Sequence, residues 1–195
     1  MKKIGLLFLL FLGITSCKEE PKKELKKEST ITLVDYVSLG NKYAQSTQKV
    51  LGKNLIGTIK KEGTLAALAF CNVKAFPLTD SMSAMHKVKI RRISDKYRNT
   101  TNAVNAEELG YLEEFKKKHL NYETLSPIIK ESKKTVDYYS PIKVLPACLQ
   151  CHGTPEKEIK TRVFKSIEAL YPEDKAIGYQ VNDIRGMWHI TFQKK

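Results

Sequence analysis

The sequence predicts an α+β domain in which helices lead into an antiparallel sheet. Apolar residues recur at intervals of three and four between Tyr36 and Lys61, which is the period of an amphipathic helix. The stretch HKVKIRRIS alternates apolar and basic residues, and KTVDYYSPIKVLP is rich in β-forming residues, so both favour strands. Helices followed by such strands, with a hairpin at the end of the chain, predict the α+β class.

Three helices are expected in the first two thirds of the chain. Gly63 ends the long N-terminal pattern, and the alanine-rich stretch TLAALAFCNVKAF then predicts a second, buried helix that presents Cys71 to the interior. NAEELGYLEEFKKKHL predicts a third helix, because Asn105 occupies a capping position, with acids in the first turn and lysines in the last.

The C-terminal third predicts strands around a further helix. KTVDYYSPIKVLP leads directly into the stretch PACLQCHGTP. Thr154-Pro155 has the form of an N-cap followed by a first helical residue, which predicts a helix through Leu170. AIGYQVNDIRGMWHITFQ contains two β-type runs around Asn182-Asp183, which predicts a hairpin that closes the chain.

The N-terminus has the layout of a secretory signal peptide. Two lysines precede an apolar run over residues 4–12, which is too short to span a bilayer. Cys17 follows directly after a small residue in ITSC, which resembles a lipobox, so we expect a lipoprotein signal peptide over 1–16 and a lipid on Cys17. The charged stretch that follows has no aromatic residue and is expected to be a flexible tether over 17–32. Residues 33–195 then form one domain.

These features predict an extracytoplasmic protein that is lipid-anchored to a membrane, expected to be the outer membrane on its periplasmic side or at the cell surface. The formal charge of +13 would suggest nucleic acid in a cytosolic protein, but an extracytoplasmic address makes nucleic acid an unexpected partner. The excess charge is better explained by solvated lysines and by attraction to an anionic surface, an acidic partner protein or the propionates of a cofactor.

The motif CLQCH is the chemically specific feature of the chain. In c-type haem attachment Cys148 and Cys151 form thioethers with the haem vinyl groups and His152 binds the iron. A redox CxxC would need a thioredoxin-like βαβ context, and zinc would need a second ligand pair that the dispersed histidines do not supply. A disulfide is a further alternative. The single motif predicts one haem c per chain.

The sixth iron ligand is open at this level. The residues with a suitable donor atom are Cys71, Met82, Met85, Met187, His86, His119 and His189. If Cys17 takes a lipid and Cys148 and Cys151 take haem, Cys71 is left over. A leftover thiol in an oxidising compartment implies intermolecular pairing, deep burial or metal ligation.

Four longer stretches together resemble a known family: AALAFCNVKA, IRRISDKYRNTTNAVNAEE, DYYSPIKVLPACLQCHG and YPEDKAIGYQVNDIRGMWHI. The family consists of small extracytoplasmic proteins with one c-type haem and a PAS-like fold, which also occur as input domains of bacterial sensor kinases. The likeness covers nearly all of the mature domain. It implies a PAS-like antiparallel sheet with a long N-terminal helix and flanking helices.

The resemblance also implies the ligand set. Its members use a cysteine on an N-terminal helix and the histidine of the haem motif, which correspond to Cys71 and His152. They commonly have Arg-Asn-Pro-x-Asn where this chain has RNTTN at 98–102, a departure that relaxes a loop and removes no ligand. The arginines near this loop are candidates for propionate contacts or, equally, solvated surface residues: Arg91, Arg92 and Arg98.

His/Cys ligation would stabilise ferric iron and lower the reduction potential, because a thiolate is an anionic donor. With both axial positions filled, no site is vacant for peroxide or oxygen, so an enzyme is not expected. The leading hypothesis is a membrane-anchored haem protein for electron transfer or redox sensing with an unidentified redox partner. The alternatives are a PAS-like module that binds a ligand or gas and signals through a partner, and a haem peroxidase with an open distal side.

Overall fold

The structure, a computed structural model, describes residues 32–194. The signal peptide, Cys17 and all of the tether except Thr32 lie outside the described residues. The helices and strands follow in the order α1 (Leu33–His86), β1 (Lys89–Ile93), α2 (Ala106–Leu120), β2 (Ile128–Glu131), β3 (Thr135–Lys143), α3 (Leu149–His152), α4 (Thr161–Leu170) and β4 (Ile184–Gln193). The four strands form one antiparallel sheet in the order β1-β4-β3-β2, which confirms the α+β class.

Helix α1 consists of two limbs that meet at Gly63. Its N-terminus is closed by a capping box in which the side chains of Thr32 and Asp35 each accept a backbone N–H of the other. Gly63 has φ 85° and ψ 176°, a conformation that is strained for any residue with a side chain, and it interrupts the helix as predicted. The second limb, 64–86, extends beyond the alanine-rich stretch and includes Pro77.

The sheet is covered by a different helix on each face. On one face the first limb of α1 packs against β3 and β4 in a core that includes Tyr36, Tyr138, Trp188 and Phe192. Gly40 allows this close approach, since a Cβ there would lie 2.3 Å from the Tyr138 ring. On the opposite face α2 packs against the sheet in a core formed by Ile93, Leu112, Phe115, Tyr139, Ile184 and Met187. In the described part of the chain, no helix has an apolar stretch of the length that membrane crossing requires.

Two sequence predictions for the C-terminal third were wrong, and β2 was not predicted. The helix expected from Thr154 begins only at Thr161, because the Thr154 carbonyl instead accepts three amides of a tight turn over 154–159. The terminal hairpin does not form. Its expected first strand bonds to the CLQCH segment: Gly178 N donates to Gly153 O at 2.8 Å and Tyr179 N to His152 O at 3.0 Å.

Candidate functional site

The second limb of α1 lies directly against the CLQCH segment. Thr64 Oγ1 donates to Gln150 Oε1 in the middle of the motif at 2.6 Å. Leu68 packs in a small core to which Cys151 also contributes. Thr64, Leu68 and Cys71 follow one another at intervals of four and three residues, so they share one face of the helix. The same face that holds the motif therefore carries Cys71.

The imidazole of His152 is fixed through one nitrogen. Nδ1 lies 2.7 Å from the carbonyl oxygen of Ala176, which requires Nδ1 to carry the proton and donate it. Nε2 makes no hydrogen bond to any residue of 32–194. Burial lowers the pKa of His152 well below its ordinary value, and the positive charges of Arg185 and Arg98 lower it further. His152 is thus a neutral imidazole with Nε2 available, the form in which histidine binds a metal.

Arg98 links the CLQCH motif to residues 174–176, the segment whose Ala176 carbonyl orients His152. Its Nε and Nη2 donate to the two carboxylate oxygens of Asp174 at 3.1 and 3.0 Å, and Nη2 also donates to Cys151 O at 2.6 Å and to Ala176 O at 3.3 Å. Asp174 in turn accepts the Ala176 amide at 3.0 Å. This ion pair is largely buried and sets the position of the carbonyl that orients His152. The propionate contact of Arg98 stays a prediction.

The three cysteines of the domain are free thiols. Burial raises the pKa of Cys151 to about 11, and a negative charge on Cys71 would raise it further, which places both sulfurs in one electrostatic environment. Burial also raises the pKa of Cys71, against the opposing positive charges of Arg92 and Arg98. Cys71 and Cys151 therefore lie near one another, and the assignment of Cys71 and His152 as iron ligands stays a prediction. Two free thiols and a neutral imidazole in the CLQCH spacing are the groups that attach and ligate a c-type haem, and the facing helix offers a third thiol as a possible further ligand.

A family model, described as Tll0287-like, matches residues 18–193. The chain belongs to the Tll0287-like family. A solved structure of the cyanobacterial heme-protein Tll0287 is 26% identical in sequence, covers 81% of this chain and 96% of its own, and superposes with a TM-score of 0.59. No curated protein matches.

The arginines of this Tll0287-like chain divide between the two faces of the sheet. Arg91 pairs with the buried Glu108 of α2 at 3.3 Å, so it is not among the residues gathered at the motif. Arg92 alternates with Arg91 on β1 and lies on the α1 side, where its charge acts on Cys71 and His152. Arg185 of β4 also reaches the site and was missed from the sequence. A lone arginine at the start of the largely apolar stretch IRGMW was the available signal.

The other candidate iron ligands make contacts elsewhere. His86 stacks on Tyr43 with ring centroids 4.1 Å apart and bonds Ser46 Oγ at 2.9 Å. Met82 and Met187 lie in the two sheet cores, and His119 lies in the last turn of α2. Met85 is exposed at the surface, and His189 lies beside the acidic residues Glu108 and Asp137. Among these candidates, Cys71 shares a helix face with Thr64 and Leu68, which contact the CLQCH segment.

Proposed function

We propose that this protein carries one haem c, attached covalently through Cys148 and Cys151, with His152 and Cys71 as the axial ligands of its iron. The description of the related Tll0287 as a heme-protein supports this proposal. The protein is a membrane-anchored, extracytoplasmic redox protein that acts in electron transfer or redox sensing with a partner protein. The bound haem would supply one-electron iron chemistry.

The observation that carries the proposal is the environment of His152. Its Nδ1 donates to Ala176 O at 2.7 Å, so the ring orientation and tautomer are fixed before a metal binds. The backbone on both sides of the ring is also fastened, since the His152 carbonyl accepts the Tyr179 amide and the Cys151 carbonyl accepts Arg98. A histidine that served only to fill the core would not need a free Nε2.

Cys71 supplies the second axial ligand from the facing helix. Burial alone would keep this thiol protonated, and the neighbouring guanidiniums of Arg92 and Arg98 favour the thiolate. Iron binding deprotonates a coordinating thiol outright. With Cys71 in place, neither axial position is vacant, and the protein is expected to transfer or report electrons rather than turn over peroxide.

The anchor and the address rest on the N-terminal sequence. The apolar run over 4–12 and the lipobox-like ITSC support cleavage before Cys17 and its lipidation. The tether then leaves the haem domain outside the cytoplasm, where the haem c attachment and the redox partner are expected.

Covalent attachment and anchoring are tested together by expressing the full chain with a c-type haem maturation system. The wild type should retain haem absorbance after acid-acetone extraction and sediment with membranes. The double variant C148A/C151A should lose extraction-resistant haem, whereas C17A should keep the haem but no longer incorporate labelled fatty acid. Extractable haem in the wild type would contradict covalent attachment, and a C17A protein that still incorporates labelled fatty acid would contradict lipidation of Cys17.

A further inference from the structure

Three guanidiniums lie near His152, and only one of them forms an ion pair with a carboxylate. The charges of Arg185, Arg98 and Arg92 all act on the imidazole. Asp174 neutralises Arg98 through a bidentate ion pair. Within residues 32–194, neither Arg92 nor Arg185 forms an ion pair with an aspartate or glutamate. Because an unpaired charge partly removed from water is costly, two half-buried guanidiniums without an ion pair at one site point to an anionic occupant.

One hydrogen-bond donor of Arg185, its Nε, has no partner among the described residues. Its Nη1 donates to Ser94 Oγ at 3.0 Å and to Lys96 O at 2.9 Å, which anchors one edge of the guanidinium. Its Nε is buried and has no hydrogen-bond partner among the described residues. The guanidinium lies 5.2 Å from the Tyr179 ring centroid, and that ring meets the His152 ring edge-on at 6.4 Å. The unpartnered donor is thus one aromatic ring away from His152.

Arg92 approaches the same site from β1. It shares the α1 side of the sheet with the buried Ile90, and its charge acts on Cys71 and on Tyr171. Arg92 also lines a cleft of about 430 Å³ between the second limb of α1 and β1. Burial lowers the pKa of Arg92, so an anion placed beside this guanidinium would relieve an unfavourable environment.

We propose that Arg92 and Arg185 bind the two propionate carboxylates of the haem and thereby raise the reduction potential that thiolate ligation lowers. This inference rests on the proposed function. In a ferric haem the porphyrin ring cancels two of the three positive charges of the iron, and one thiolate would cancel the third. The two propionate carboxylates are then the remaining negative charges, which the two guanidiniums would balance. Guanidinium and carboxylate also match as a charge-assisted hydrogen-bonding pair.

The sign of the effect follows from the charge that reduction adds. One electron makes the haem more negative, and fixed positive charges in a buried site stabilise that state. Replacing either arginine by an uncharged residue therefore makes reduction less favourable. A propionate that loses its guanidinium stays buried, so its pKa rises and its protonation becomes coupled to reduction. The variant should then show a steeper dependence of potential on pH than the wild type.

The test is a redox titration of the matured haem protein as R92M and R185M, with R162M as control because Arg162 is exposed on α4. Each site variant should lower the equilibrium constant of one-electron reduction by about tenfold, equivalent to about 59 mV, and steepen its pH dependence. R162M should match the wild type. Electron paramagnetic resonance of each ferric variant checks that both axial ligands are retained.

Because Arg185 also holds Ser94 and the Lys96 carbonyl, R185M risks misfolding. R92M then decides the matter, since Arg92 makes no side-chain hydrogen bond within 32–194. If haem-loaded, low-spin R92M keeps the wild-type potential at every pH, the propionate assignment is wrong while the haem proposal stands. If the wild type carries no covalent haem, the proposed function itself fails.

Discussion

The Arg98–Asp174 ion pair is expected to hold the CLQCH segment against residues 174–176. Arg98→Met removes the guanidinium that contacts both oxygens of Asp174 and the carbonyls of Cys151 and Ala176. The two side chains are only 11% and 7% exposed, so the remaining Asp174 carboxylate is left buried without its charge partner. Losing one partner of a buried pair costs about 3–5 kcal/mol of unfolding free energy.

Urea unfolding followed by far-ultraviolet circular dichroism measures this loss. Asp174→Asn provides the second single variant, and the double variant R98M/D174N removes both charges. Because the double variant leaves no uncompensated charge, it should be more stable than the sum of the two single losses predicts, with a coupling energy of about 0.5–3 kcal/mol. An Arg98→Met protein whose unfolding free energy lies within about 0.5 kcal/mol of the wild type, or strictly additive losses, would refute this role of the ion pair.

Two further predictions concern the sheet faces. Gly40→Ala should lower the free energy of unfolding, because a Cβ 2.3 Å from the Tyr138 ring costs about 1–3 kcal/mol of overpacking, more than the roughly 1 kcal/mol gained in helix propensity. Gly57→Ala in the same limb meets nothing within 4 Å and should be stabilising in the same urea assay; equal effects of the two variants would contradict the packing. Glu108 is buried, and although burial opposes it, hydrogen bonds from His189 and Asn105 with the Arg91 charge lower its pKa below 4.5. A depressed carboxyl pKa contributes stability that is present above about pH 4.5 and is lost as pH falls through the folded value, so Glu108→Gln should flatten the acid limb of stability against pH. An unchanged limb in urea titrations between pH 3 and 7 would contradict this assignment.

The sequence predicts those features of the fold and the candidate site that are determined by residues close together along the chain. The CLQCH spacing, the helix break at Gly63 and the capping of α2 by Asn105 are all set within a few residues, and the structure shows the break and the cap where they were predicted. Cys71 stood out only because the other cysteines had uses. The structure places it on the helix face shared with Thr64 and Leu68, and its role as the ligand that the family resemblance implies stays a prediction.

The parts that were mispredicted depend on contacts between distant segments. Residues 176–179 have the composition of a strand, but their backbone groups form hydrogen bonds with His152 and Gly153 instead of pairing with a strand. The alternation on β1 shows that Arg91 and Arg92 face opposite ways, yet it does not say which face meets the motif. Arg185 reaches the site only because β4 lies between β1 and β3 in the sheet. The sequence alone does not contain that strand order.

The proposed ligation by Cys71 is tested most directly by absorption and electron paramagnetic resonance spectra of the matured ferric protein beside those of Cys71→Ala. Met85→Ala is the matched control, since Met85 is 68% exposed. The account predicts a low-spin wild type with thiolate features, an unchanged M85A protein, and a C71A protein that turns high-spin or changes ligand with a raised reduction potential. Identical spectra for the wild type and C71A would contradict His/Cys ligation.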